Sequence, residues 1–175
     1  MSERTGAVTF KGDPLTLVGE EVPVGSQAPD FSATTTDLSA KKLSDYSGKV
    51  VVICSVPSLD TPVCDTQTRR FNEEAAKLGS DVVVLTVSLD LPFAQKRWCA
   101  AAGVENVVPL SDYRGNHEYA QKYGRMIKEL ELLARSVMVI DKAGKVAYAQ
   151  LVKEVAEEPD YDAALEAAKQ AAAAS

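Results

Sequence analysis

The sequence contains no Cys-x-x-Cys, and its three cysteines are an odd number. Neither the simplest thioredoxin-type dithiol motif nor a complete disulfide framework is therefore present. With His117 as the one histidine, a Cys/His metal cluster is not expected, and no residue pattern asks for a cofactor. No dense Lys/Arg run exists and the formal net charge is -6, which argues against binding a phosphate backbone. No apolar stretch approaches the ~18 residues a membrane helix needs. Met1 to Gly6 lead into no apolar signal core. These absences predict a soluble, cytoplasmic protein without nucleic-acid or membrane partners. In a reducing compartment the thiols are then catalytic, redox-active or simply buried.

What is present is an ordinary globular composition, with 46% hydrophobic and 25% charged residues. A chain of 175 residues suffices for one domain, 1–175, with its own core. Ala7–Phe10 and Leu15–Val18 flank Lys11-Gly12-Asp13-Pro14 and predict an N-terminal hairpin. A turn-rich stretch follows to Gly48. Val50–Val56 and Asp81–Ser88 read as buried strands. Helices are expected from Pro62 to Leu78, ended by Gly79, and from Phe93 to Ala102, opened by Pro92 and closed by Gly103. Val107–Leu110 is a weaker strand, and Asn116–Tyr123 a short helix ended by Gly124. Ser136–Ile140 and Lys145–Leu151 form a second hairpin, and Asp160 caps a last helix from Tyr161. This alternation predicts an α/β fold with a mixed sheet.

Cys64 is the chemically informative residue. It follows the run Val50–Val56 and the segment Pro57-Ser58-Leu59-Asp60-Thr61-Pro62-Val63. Thr61 can cap a helix, and Pro62 takes the first helical position, where its missing N–H costs nothing. Cys64 then lies in the first turn, facing unpaired N–H groups and the positive end of the helix dipole, which favour a thiolate. On that helix Cys64, Thr68, Phe71, Ala75 and Leu78 share the inward face, with the cysteine at its mouth. The competing reading is a small buried residue near a helix start.

Ionisation alone gives little. Lowering a thiol pKa by ~2 units raises the thiolate population roughly 25-fold, but a Brønsted slope of ~0.4–0.5 removes about 8-fold in nucleophilicity. A fast thiol enzyme must hold and polarise its substrate, so donors beside Cys64 are required, with Thr61 and an arginine the natural candidates. Cys99, on the Pro92 helix, shares a half-apolar face with Gln95 and Ala102 and is expected near the surface, as a reactive or an incidental thiol. Cys54 lies inside an apolar strand and reads as core.

The pattern Pro57-x-x-x-Thr61-x-x-Cys64, after a buried strand and opening a helix, resembles the active-site signature of the peroxiredoxins. The string Pro57 to Asp65, the segment Asp90 to Cys99, Ala134 to Asp141 and Glu158 to Leu165 are similar to the thiol peroxidase branch. The resemblance spans nearly the whole chain. It implies a thioredoxin-like fold, a central mixed sheet flanked by helices, and reduction of hydrogen peroxide and organic hydroperoxides.

By the same resemblance Cys64 is the peroxidatic cysteine and Cys99 the resolving one, joined in an intramolecular disulfide that thioredoxin reduces. Thr61 would bond the peroxide, Pro57 would shield the sulfur, and Arg135 would stabilise thiolate and developing oxyanion. Without the resemblance Arg135 reads as a solvated or ion-paired residue. A homodimer is carried over in the same way. Cys54 lies outside the pattern, so its part in oxidation stays open.

A disulfide needs Cα atoms within about 7 Å. The first turn after Pro62, and the Cys99 helix, are therefore expected to unwind locally before bridging. Three rivals are a one-cysteine peroxiredoxin resolved by an external thiol, a redox sensor, and a structural thioredoxin-like binding module. His117 is expected to be exposed and is given no role.

Overall fold

The computed structural model describes residues 1–174. Two strands, β1 (Glu3–Phe10) and β2 (Asp13–Val18), form the expected N-terminal hairpin and run longer than the apolar segments suggest. Two three-residue strands follow, β3 (Ser32–Thr34) and β4 (Ala40–Lys42), with a 3-10 turn at Leu43–Tyr46. Next come β5 (Val50–Ser55), α1 (Pro62–Ala75), β6 (Val82–Ser88), α2 (Pro92–Ala102) and β7 (Val107–Ser111). The chain continues through α3 (Glu118–Tyr123), β8 (Met126–Ile127), β9 (Leu132–Leu133), β10 (Ser136–Ile140), β11 (Val146–Leu151) and α4 (Tyr161–Ala173). A seven-stranded sheet has the order β11-β10-β5-β6-β7-β3-β4, and a four-stranded sheet the order β1-β2-β8-β9. Strands β5, β6 and β7 are parallel, while β10 and β3 join them antiparallel, so the central sheet is mixed.

Strand β5 shows why its sequence is an unbroken apolar run. Side chains alternate across a pleated strand, and both faces of this one are covered. Val51 and Ile53 enter one core with Leu85, Phe31, Tyr119 and Tyr123. Val50, Val52 and Cys54 enter the other, with Phe71 of α1 and Ala164, Leu165 and Ala168 of α4. Cys54 is 1% exposed, and burial pushes its thiol far up from the ordinary range, outweighing the Gln67 amide that favours the thiolate. The reading of Cys54 as core agrees with this position.

Three expectations need correction. Helix α1 stops at Ala75 rather than Leu78, because Lys77 N donates to Glu74 O and Leu78 N to Ala75 O in tightened turns before Gly79. Helix α3 starts at Glu118 rather than Asn116, because His117 takes a left-handed conformation (φ 54). The buried Asp112 carboxylate accepts from Tyr119 N (3.1 Å) and Ala120 N (2.9 Å), satisfying that helix start. His117 itself is half-buried and bonded through Nδ1 to Asp112 O, not freely exposed.

A buried arginine links the residue before β8 to the first residue of β10. Arg125 is fully buried; its Nη1 and Nη2 donate to the Glu21 carboxylate, each at 2.7 Å, and its Nε donates to Ser136 Oγ at 3.0 Å. Burial raises the Glu21 carboxyl, but Arg125 and Arg4 outweigh it and hold the group below its ordinary value of 4.5. Stability from this carboxylate is present above that value and is lost as pH falls through the lower folded value. Glu21→Gln leaves a buried guanidinium without its counter-charge; because the Glu21 side chain is itself 39% exposed and screened by water, the expected cost at pH 7 is on the order of 1–2 kcal/mol. In urea unfolding the gap between wild type and variant narrows below about pH 4; a gap independent of pH would contradict this role.

Candidate active site

Strand β5 delivers the chain to the site. Its carboxyl end lies where the sheet changes direction, with parallel β6 on one side and antiparallel β10 on the other. Crevices outside strand carboxyl ends at such points are the usual binding places of open α/β sheets. After Ser55 the chain passes through buried Val56 and Pro57 and turns into α1. Thr61 is the N-cap: its Oγ1 accepts from Cys64 N at 3.3 Å, and its own proton goes to Ser58 O at 3.1 Å. Pro62 opens the helix, and Cys64 occupies its first turn. The Thr61–Pro62 reading of the helix start is thereby met at the level of hydrogen bonds.

The sulfur is more enclosed than a place at the mouth of the helix implies. Cys64 is 0% exposed and packs with Val56, Leu59 and the half-buried Trp98. Two elements close over it, the loop through Leu59 and helix α2 through Trp98, which hydrophobic periodicity on α1 alone could not reveal. Among the described residues Cys54, Cys64 and Cys99 are all unbridged.

Arg135 reaches Cys64 because of strand register. In the antiparallel β5–β10 pair Ser136 faces Ser55, so the residue before β10 meets the chain just past the end of β5. Arg135 is 1% exposed, and each of its three guanidinium nitrogens donates a hydrogen bond. Nη2 donates to Cys64 Sγ at 3.1 Å, Nη1 to Gln67 Oε1 at 2.8 Å, and Nε to Val155 O at 3.0 Å. No carboxylate forms a salt bridge with it among the described residues. The reading of Arg135 as solvated or ion-paired is therefore replaced by a buried cation bonded to a thiol sulfur. The acceptors of this buried guanidinium are thus a thiol sulfur, a side-chain amide and a main-chain carbonyl.

Gln67 carries no signal in the sequence analysis, yet it is fully buried and holds Arg135. It lies three residues after Cys64, one turn along the inward face, where a polar residue on an apolar stripe was the available clue. Cys99 lies half-buried at the edge of the β5–α1–α4 core, in keeping with a half-apolar face near the surface, and burial pushes its thiol up. The face is covered because Gln95 is buried too, its Nε2 donating to Ser88 Oγ (3.0 Å) and Leu110 O (2.9 Å). Cys99 directly follows Trp98, the residue that covers Cys64. Thr61 and Arg135 thus converge on Cys64, with Pro57 buried in the segment that leads from β5 to them and Cys99 on the helix that roofs the site.

Comparison with known proteins gives a consistent picture. The Redoxin family matches residues 23–165. A thiol peroxidase of Bacillus subtilis is 58% identical over 162 residues, covering 93% of this chain and 96% of that protein. A thiol peroxidase of Listeria monocytogenes serotype 4b is 54% identical over 164 residues, covering 94% and 98%. The crystal structure of a peroxiredoxin-like protein from Aquifex aeolicus superposes with a TM-score of 0.88 at 48% identity, covering 95% of this chain and 96% of that one. A thiol peroxidase from Chromobacterium violaceum shares the fold, with a TM-score of 0.80 at 20% identity over 89% and 91% of the two chains. No helix among the described residues is long and apolar enough to cross a membrane. With a thioredoxin-like fold, a capped cysteine at the end of β5 and relatives of this identity along nearly its whole length, the chain belongs to the thiol peroxidase branch of the peroxiredoxins, enzymes that reduce peroxides at a thiol.

Proposed function

We propose that Cys64 is the peroxidatic cysteine of a two-cysteine cycle, that Cys99 resolves it within the same chain, and that thioredoxin closes the cycle. The observation that carries this reading is the Arg135 guanidinium, buried with no carboxylate in salt-bridge contact among the described residues and bonded to Cys64 Sγ at 3.1 Å. It supplies the counter-charge for a thiolate and a fixed donor for the oxygen that becomes anionic as the O–O bond breaks. The thiolate attacks the terminal oxygen of ROOH, the O–O bond breaks, and sulfur loses two electrons to become Cys64–SOH. The leaving RO⁻ takes a proton and departs as ROH. The Cys99 thiol then attacks the sulfenic sulfur, forming the Cys64–Cys99 bond and releasing water. Reduced thioredoxin supplies two electrons and two protons to restore both thiols.

Thr61 has a defined part in this scheme. Its only proton is given to Ser58 O and one lone pair receives Cys64 N, so toward a peroxide it acts as an acceptor. A peroxide held between the Thr61 oxygen and the Arg135 donors presents its terminal oxygen to sulfur. Pro57, buried between β5 and this loop, keeps water from the thiolate. The apolar enclosure by Val56, Leu59 and Trp98 favours organic hydroperoxides at least as much as hydrogen peroxide. Since the sulfur is covered, both peroxide access and disulfide formation require the loop or α2 to move. A cytoplasmic location, expected from the sequence, and a homodimer, carried over from the family resemblance, accompany this reading.

The test is steady-state consumption of hydrogen peroxide and of an alkyl hydroperoxide, coupled to thioredoxin and its reductase. Sustained turnover of many equivalents per protein supports the enzyme. A single stoichiometric oxidation without thioredoxin-dependent turnover would contradict it, and would favour a one-cycle sensor.

A further inference from the structure

The segment from Asp90 to Cys99 contributes a cysteine to the proposed cycle, yet its first residue has the denser set of bonds. Asp90 lies between the end of β6 and the start of α2, two residues before Pro92. Its Oδ1 accepts from Ser58 Oγ at 2.7 Å, and its Oδ2 from Leu59 N at 2.9 Å and Ser88 Oγ at 2.8 Å. Ser111 Oγ donates to its main-chain oxygen. Two of the carboxylate's partners, Ser58 and Leu59, belong to the loop that closes over Cys64. Ser58 O in turn receives the Thr61 hydroxyl, and Thr61 Oγ1 receives Cys64 N. On the other side Ser88 Oγ also receives Gln95 Nε2, in the first turns of α2.

One continuous hydrogen-bonded path therefore runs from α2, through Gln95, Ser88, Asp90, Ser58 and Thr61, to the backbone of Cys64. Its centre is a carboxylate, and bonds to a charged acceptor are about twice as strong as neutral ones. No salt bridge engages this carboxylate among the described residues, so its lone pairs are committed to the loop and to β6.

We infer that Asp90 is a positioning residue that latches the Cys64 loop to the base of the Cys99 helix. Latched, it aims Thr61 at the peroxide and keeps Cys64 in its helical turn. Unlatched, it frees both cysteine-bearing segments to move toward each other. The same group thus speeds the first chemical step and restrains the second. This rests on the assignment of Cys64 and Cys99 above, and concerns which residue sets the balance between the two steps.

Asp90→Asn separates them, because the amide nitrogen cannot accept a hydrogen bond. The rate constant of Cys64 with hydrogen peroxide is measured in a Cys99→Ser background, and disulfide formation from the sulfenic acid in the chain with all cysteines. Both can be followed by fluorescence of Trp98, the one tryptophan, which packs against Cys64. The first rate constant is expected to fall about tenfold and the second to rise by a similar factor. Ser58→Ala removes one of the three side-chain bonds and serves if the Asn variant fails to fold, with smaller changes in the same two directions. Opposite movement of the two rates supports the latch. Both rates falling together, or both staying within about twofold of wild type, overturns it. A wild-type protein that consumes no peroxide would overturn the assignment of the cysteines instead.

Discussion

Cys64→Ser reduces peroxide consumption to the uncatalysed background, while Cys99→Ser is oxidised once per chain and then stalls with thioredoxin as reductant. The asymmetry follows from the two environments. Cys64 has the Thr61 cap and the Arg135 donor, and a hydroxyl in its place is too weak a nucleophile to attack an O–O bond. Among the described residues no arginine donates to the Cys99 sulfur, and burial disfavours its thiolate. It is suited to capture an oxidised partner held nearby, not to meet peroxide first. Without it the sulfenic acid waits for an external thiol, and the intramolecular advantage, on the order of 10²-fold or more, is lost. Quantifying sulfenic and sulfinic acid in Cys99→Ser at rising peroxide checks the claim. Full thioredoxin-dependent turnover by that variant would establish the one-cysteine rival.

Arg135→Met is expected to lower the rate constant of Cys64 with peroxide by a factor on the order of 10²–10³, the usual cost of deleting one donor aimed at developing negative charge. Methionine retains much of the apolar volume, and replacing a buried charge by an apolar side chain of similar size is often close to neutral for folding. Activity should therefore fall far more than the melting temperature. The variant leaves Gln67 Oε1 and Val155 O without their donor, so a modest loss of stability is expected alongside. Arg135→Lys keeps the charge but cannot bond three partners in one plane, and should recover only part of the rate. Stopped-flow oxidation and thermal unfolding on the same samples separate the two effects. A peroxide rate constant within about threefold of wild type would remove Arg135 from the mechanism.

The legible parts of the fold were those with local causes. The continuous apolar run of β5, the Thr61–Pro62 helix start, the Gly103 stop after α2 and the Asp160 cap of α4 each express themselves within a few residues. Strands β3, β4, β8 and β9 are two or three residues long; β3 and β8 are placed in their sheets by partners far along the chain, Ser111 for Thr34 and Val18 for Met126, and β4 and β9 are short edges paired to them. No periodicity of their own could reveal them. The site divides the same way. Cys64 and Thr61 are readable as one local unit, whereas Arg135 meets them through the Ser55–Ser136 register. Its place beside the sulfur came from family resemblance rather than from its neighbours in sequence. Nothing local singles out Gln67 or Asp90, because a polar residue on a helix or in a turn normally faces water, and only the packed structure shows what each one bonds.

Intact-mass analysis after one equivalent of peroxide, followed by non-reducing peptide mapping, tests the central claim most directly. A loss of two hydrogens per chain, mapped to a peptide pair joining residue 64 to residue 99, is the expected result. A stable gain of one oxygen on Cys64, or a bridge that involves Cys54 instead, would contradict the two-cysteine cycle.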